Sequence, residues 1–204
     1  MMKLYYSPGA CSLGIHVLLE EIGKPFEAVR ISTREGAHLT PEYRAINPKA
    51  KVPALALEDG RVVTEYPAIS FYLARSNPEA GLLPAGLDGE IACLSLLEYI
   101  TGTVHPMGFT RQFRPSRFAR DKEDEARVIA DGKAAAQEYV ELLARQIAGP
   151  WAFGEVYTVA DPALFFIEQW CRRAGVEMPG ALAAHHQRML DRPAVQRALA
   201  REAA

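Results

Sequence analysis

The chain has little cysteine: only Cys11, Cys93 and Cys171 in 204 residues. Three are too few and too scattered for a disulfide framework or a zinc site, so no metal is expected and a reducing cytoplasm is the expected compartment. It also lacks any excess of charge. Lys and Arg number 23 against 25 Asp and Glu, a net −2 at pH 7, which argues against a general nucleic-acid binder. No apolar run approaches the roughly 18 residues that cross a bilayer, and Met1-Met2-Lys3-Leu4-Tyr5-Tyr6 has no signal-peptide apolar region, so no membrane partner is expected. There is no internal repeat and no low-complexity segment. What remains is an ordinary globular composition, 49% hydrophobic and 24% charged. At roughly 150 residues per domain, this length makes one large domain or two small ones, enough for a self-sufficient core.

The two halves read differently. Lys3 to Tyr6 is a β-rich run ended by the Ser7-Pro8-Gly9 loop, and Leu13, Val17, Leu18 and Ile22 then recur at helical spacing up to Gly23. Phe26 to Ile31 alternates like a strand, and Thr40-Pro41-Glu42 opens a short helix near Tyr43. Ala54 to Leu57 and Arg61 to Thr64 flank Glu58-Asp59-Gly60, the strongest hairpin signal in the chain. A helix follows with Ala68, Ile69, Tyr72 and Leu73 on one face. The predicted order is βαβαββα, an α+β domain over 1–77. Pro- and Gly-rich residues 78–87 read as a linker, and 88–204 as an all-helical domain. Within that region Thr158-Val159-Ala160-Asp161 reads as a capping box.

Cys11 stands where a strand, a Pro-Gly loop and a helix start meet. The amides and dipole of a helix N-terminus favour a thiolate, so one expectation is a depressed pKa and a reactive thiol; the other is a small buried hydrophobe. No second cysteine lies two or three residues away, so any redox role needs an external thiol. Val52-Pro53 is either a cis bond that frees the Val52 N–H and C=O for an extended ligand, or an edge-strand proline that blocks pairing. Glu65-Tyr66 opens a helix. Its amides can take a carboxylate and Glu65 an ammonium, together clamping an α-amino acid head group, or Glu65 is simply a favourable charge at a helix start. Pro106 is expected to kink the helix after His105. Arg111, Arg114, Arg117 and Arg120 wind around a helix and read as a solvated surface.

These residues add up to a resemblance. Lys3-Leu4-Tyr5-Tyr6-Ser7-Pro8-Gly9-Ala10-Cys11-Ser12-Leu13, Asn47-Pro48-Lys49 with Val52-Pro53-Ala54-Leu55, Thr64-Glu65 and Ala68-Ile69 closely resemble bacterial beta-class glutathione transferases. Gly108-Phe109-Thr110, Phe113-Arg114-Pro115, Thr158 to Asp161 and Arg192-Pro193 extend the similarity over nearly the whole chain. The resemblance implies a thioredoxin-like N-terminal domain that holds glutathione and an all-α domain that supplies an electrophile pocket, here Met107, Phe109, Phe113 and Trp170. It implies a cytoplasmic homodimer that conjugates the glutathione thiolate to small hydrophobic electrophiles. By position, Cys11 would contact glutathione, Val52 would pair with its cysteinyl part beside cis Pro53, and Glu65 with the Tyr66 amide would hold the γ-glutamyl group. Arg34 stands in for a lysine the family carries near residue 35, and Lys51 offers a second cation. Tyr99 occupies a position where an asparagine often touches the ligand, and Thr103 belongs to the same ligand-facing stretch. The family histidine aligns with Pro106; His105, one residue earlier, is the catalytic candidate together with Cys11 and Ser12, whose hydroxyl is proposed to reach the glutathione sulfur. Two alternatives are a glutathione-dependent thiol reductase that works through a Cys11 mixed disulfide, and a non-catalytic partner-binding protein on the same fold.

Overall fold

The computed structural model describes residues 1–203. They divide into two compact units, Met1–Leu82 with the segment from Met189 onward, and Leu83–Arg188.

The first unit is built on a four-stranded sheet of order β2-β1-β3-β4. Strand β1 (Met2–Tyr6) runs parallel to β2 (Phe26–Arg30) and antiparallel to β3 (Ala54–Ala56), which pairs antiparallel with β4 (Val62–Thr64). Alternation in β1 sends Leu4 and Tyr6 inward, while Lys3 reaches out to Glu27 at 2.9 Å. Helix α1 (Ser12–Ile22) crosses from β1 to β2, and its apolar residues Leu13, Ile15, Val17, Leu18 and Leu19 are each at most 4% exposed. Its polar stripe Ser12, His16 and Glu20, spaced four apart, is buried as well, so the helix is covered on several sides, and each apolar burial stabilises by roughly 2 kcal/mol. Gly23 ends it in the left-handed region at φ 71°, its N–H bonding Leu19 O at 3.1 Å. Helices α2 (Pro41–Ile46) and α3 (Tyr66–Ser76) complete the βαβαββα order. This is a thioredoxin-like arrangement, as expected.

The second unit is helical. Helix α4 (Gly86–Tyr99) continues as wide π-type turns over Ile100–Thr110 into the short α5 (Arg111–Phe113). Pro106, expected to break the regularity, lies inside that widened stretch; it brings no N–H, and the looser register accommodates its ring without ending the helix. Helix α6 (Glu125–Gln146) packs closely on it: a Cβ at Gly132 would stand 2.6 Å from Arg111 Cβ and 2.9 Å from Gly108 O. Helix α7 (Ala160–Ala174) carries the fully buried Phe165, Phe166 and Ile167. Before it, Asp161 Oδ2 accepts from Thr158 N at 2.6 Å, the reach-back half of the expected capping box. The other half differs, because Thr158 Oγ1 accepts from Ala160 N rather than from the Asp161 amide.

The sequence assigned residues 88–204 to one helical domain. The structure divides them near the end of α8 (Gly180–Leu190) and groups the last helix, α9 (Pro193–Ala203), with the sheet. Ala194, Val195 and Ala198 of α9 are buried, Arg197 and Arg201 reach Glu20 of α1, and Arg192, just before α9, reaches Glu21 at 2.6 Å.

Candidate functional site

The chemistry-bearing residues of the first unit gather around the start of α1. Cys11 precedes the helix, and its thiol donates to the Val52 carbonyl at 3.7 Å. The Val52–Pro53 bond is cis. Among the described residues no protein group accepts the Val52 N–H.

Asn47 sets this segment. It is 1% exposed, its Nδ2 donates to Lys51 O at 2.8 Å and its Oδ1 accepts from Lys49 N at 3.1 Å. Tyr43 OH adds a 2.7 Å bond to the same Lys51 carbonyl. Neither Asn47 nor Tyr43 was assigned a role from sequence, although Asn-Pro in a loop before an X-Pro strand was a usable turn signal. The Lys51 side chain is exposed and its charge acts on Cys11. Arg34 lies exposed on the turn after β2.

Glu65 precedes α3 with φ 72° and ψ 130°, a backbone conformation that non-glycine residues rarely hold. Its Oε1 lies 2.8 Å from Lys49 Nζ, which also donates to Thr64 Oγ1 at 2.9 Å. Glu65 therefore already pairs with an ammonium, and the orphan amides at the start of α3 lie next to that carboxylate.

One expectation is corrected here. Cys11 does not carry a depressed pKa. Burial pushes the thiol up to about 12, outweighing the stabilising backbone amides of Cys11 and Ser12 and the charge of Lys51. The helix N-terminus acts as expected, but at 9% exposure the desolvation of a thiolate is the larger effect. Ser12 is fully buried, and its hydroxyl proton goes to Ser7 O at 3.2 Å while its oxygen accepts from Ser7 N at 3.1 Å. That hydroxyl closes the loop between β1 and α1.

The remaining expected residues belong to the second unit. His105 is half-buried with its ring 4.7 Å from that of Trp170, edge to face. Thr103 and Met107 are half-buried neighbours on the same widened helix. The Tyr99 hydroxyl is buried without a hydrogen-bond partner among the described residues, and burial raises its pKa. The expected electrophile pocket is corrected in part. Phe109 is 0% and Trp170 6% exposed, and with Phe113 and Phe166 they form a mutually packed aromatic cluster with ring centroids 5.0–6.2 Å apart. They are core. Only Phe113 and Met107 of that set keep a partly open face, and Arg173 lies over the Phe113 ring at 4.6 Å.

The first unit joins a thioredoxin-like sheet to a buried thiol, a cis-proline edge and a carboxylate at a helix start. Residues 9–76 match the family model for the glutathione S-transferase N-terminal domain. The chain is 38% identical to Glutathione S-transferase GstA of Escherichia coli O157:H7 over 98% of each chain. A glutathione transferase homologue from Sulfitobacter, solved with bound glutathione, superposes with a TM-score of 0.93 at 29% identity over 98% of each chain. A sphingomonad glutathione S-transferase complexed with glutathione gives 0.84 at 35% identity, again over 98% of each. The chain belongs to the glutathione S-transferase family. No helix among the described residues is long and apolar enough to cross a membrane, and no cluster of three or more His, Cys, Asp or Glu side chains there is arranged to hold a metal ion.

Proposed function

We propose that this protein is a glutathione transferase that joins the glutathione sulfur to small hydrophobic electrophiles, working as a cytoplasmic homodimer. The observation that carries the reading is the grouping, in one unit, of the cis Val52–Pro53 edge, the Cys11 thiol and the Glu65 carboxylate. Glutathione is an extended tripeptide with an α-amino acid head, a thiol and a terminal carboxylate. The Val52 N–H and C=O pair with its cysteinyl backbone as an added strand. Glu65 takes the γ-glutamyl ammonium beside Lys49, and the α3 amides starting at Tyr66 take its carboxylate. Lys51 and Arg34 supply cations for the glycyl carboxylate. The ligand sulfur then lies at the start of α1, where backbone N–H groups and the helix dipole favour its thiolate, and that thiolate attacks the electrophilic carbon.

The buried Cys11 thiol favours this reading over the reductase alternative. A nucleophilic cysteine needs an accessible thiolate, and at about 12 Cys11 is neutral throughout the physiological range. The test is conjugation of glutathione to 1-chloro-2,4-dinitrobenzene by wild type and Cys11→Ser, beside reduction of a mixed disulfide. Conjugation that survives the substitution supports the proposal. A wild-type rate no higher than buffer removes it, and disulfide reduction that vanishes in Cys11→Ser while conjugation is absent installs the reductase.

A further inference from the structure

Glu202 is a carboxylate that the proposed chemistry does not use, yet it is 9% exposed and bonded to the loop that carries Cys11. Its Oε2 accepts the Gly9 N–H at 3.1 Å, and its Oε1 lies 3.3 Å from Nδ1 of the fully buried His16 on α1. One residue earlier, the Arg201 carbonyl accepts from Tyr6 OH at 3.5 Å, at the end of β1. The far C-terminal turn of the chain is thus fastened to both elements that flank the loop.

That loop is also held at Ser7, whose hydroxyl meets Thr33 Oγ1 at 3.1 Å. Ala10 N bonds Ser7 O at 3.0 Å, Ser12 holds the Ser7 backbone, and Gly9 sits at φ +68°. The Gly9 amide is directed at Glu202, and α9 is anchored to α1 by Arg197 on Glu20, with Arg192 just before it on Glu21, both at 2.6 Å. The loop is therefore referenced to α1 directly, through Ser12 and through the Leu13 and Gly14 amides on Ala10 O and Cys11 O, and also by way of α9 through Glu202.

Resting on the reading that glutathione's sulfur lies at the start of α1, we propose that Glu202 is a positioning residue that sets the Ser7–Cys11 loop for the thiolate of glutathione. The stabilisation of a thiolate by helix-end amides is directional and falls off within one turn, so a displaced loop weakens it even when the ligand still binds. Misplacement by about 1 Å costs on the order of 100-fold in rate. Glutamine keeps an acceptor oxygen for Gly9; alanine leaves the Gly9 amide and His16 Nδ1 without their partner.

The test compares Glu202→Ala, Glu202→Gln and, as a control in α9 whose exposed side chain bonds Leu190 O rather than α1 or the loop, Gln196→Ala. Hydrogen exchange of the peptide spanning residues 7–11 reads the clamp without any ligand, and the pH profile of kcat/KM for glutathione conjugation reads the positioning. In Glu202→Ala the loop exchanges faster, kcat/KM at neutral pH falls tenfold or more, and the acid limb of the profile moves up by about one unit, since tenfold corresponds to one pKa unit. Glu202→Gln restores most of each change, and Gln196→Ala keeps the limb in place. Unchanged exchange in Glu202→Ala overturns the clamp. Faster exchange with an unmoved profile in an active enzyme overturns the positioning role alone. A wild type without conjugation overturns the functional reading and the positioning role together, even if the exchange difference persists.

Discussion

The strongest quantitative consequence of the site concerns the reactivity of Cys11 in the ligand-free protein. Burial holds its thiol at about 12 while the thiol donates to the Val52 carbonyl at 3.7 Å. At pH 8 a thiol of that pKa is ionised to about one part in 10⁴, against about a quarter for an ordinary cysteine near 8.5, a ratio of roughly 10³. Since the thiolate is the nucleophile, alkylation of Cys11 by iodoacetamide should run about 10³-fold slower than that of free cysteine, before any steric shielding. Cys93 and Cys171 are also buried and pushed up to about 12, so the folded protein as a whole should resist the reagent, and denaturation should release three equivalents. The assay is timed alkylation between pH 7 and 10, quenched and quantified by mass spectrometry of the peptide containing Cys11. The logarithm of the rate should climb one unit per pH unit without a plateau. A plateau below pH 9, or a rate at pH 7 matching free cysteine, refutes the argument that burial outweighs the helix end, and returns the mixed-disulfide chemistry to first place.

Three further predictions come from the same geometry. In the helical unit, fully buried His185 lies 2.7 Å from Glu168 and 3.1 Å from Asp161; burial alone would lower its pKa, but the two hydrogen-bonded carboxylates raise it to about 9. The folded state therefore holds this proton more tightly than the unfolded chain. Its stabilisation is fully present below pH 6.5 and lost as pH rises through 9. Denaturant titrations across that range check the slope, and a His185→Gln variant with an undiminished slope would contradict the assignment. Gly132→Ala drives a Cβ to 2.6 Å from Arg111 Cβ and should destabilise by about 1–3 kcal/mol in thermal melts followed by circular dichroism, with an unshifted Tm as the refuting result. Asn47→Ala strips the Lys51 carbonyl of a buried 2.8 Å partner and should cost about 1–3 kcal/mol of stability and weaken glutathione binding with it; retained affinity would mean that the Val52 edge is set elsewhere.

The features legible from sequence were the ones whose causes are local. The Glu58-Asp59-Gly60 turn was readable because Asp59 caps the Arg61 amide two residues on, at 3.0 Å, and β3 and β4 lie where that turn places them. The start of α1 after Ser7-Pro8-Gly9 and the strand end at Val52-Pro53 were readable for the same reason. What escaped depends on partners distant in sequence. Nothing in Pro193–Ala203 announces that its acid reaches Gly9 or that its arginines seek Glu20, so α9 was grouped with its chain neighbours. Cys11 was judged by the helix behind it, whereas the decisive effect is the cover over it. Ser12 was assigned to the glutathione sulfur by position, because sequence does not reveal that Ser7 takes both of its hydrogen-bonding roles. Phe109 and Trp170 look alike whether they line a cavity or fill one, and the ring-to-ring distance of 5.8 Å settles that they fill it.

Calorimetric titration of the reduced protein with glutathione, wild type beside Glu65→Ala, tests the central claim most directly. Glu65 sits in a left-handed backbone conformation with its carboxylate 2.8 Å from one ammonium. A charge-assisted bond from it to the γ-glutamyl ammonium is worth about 1.5–3 kcal/mol, so its removal should weaken binding by about 10- to 150-fold. The account predicts micromolar-to-millimolar binding by the wild type that collapses by that factor in the variant. The same affinity in both proteins, or no heat from the wild type at any accessible concentration, would contradict it.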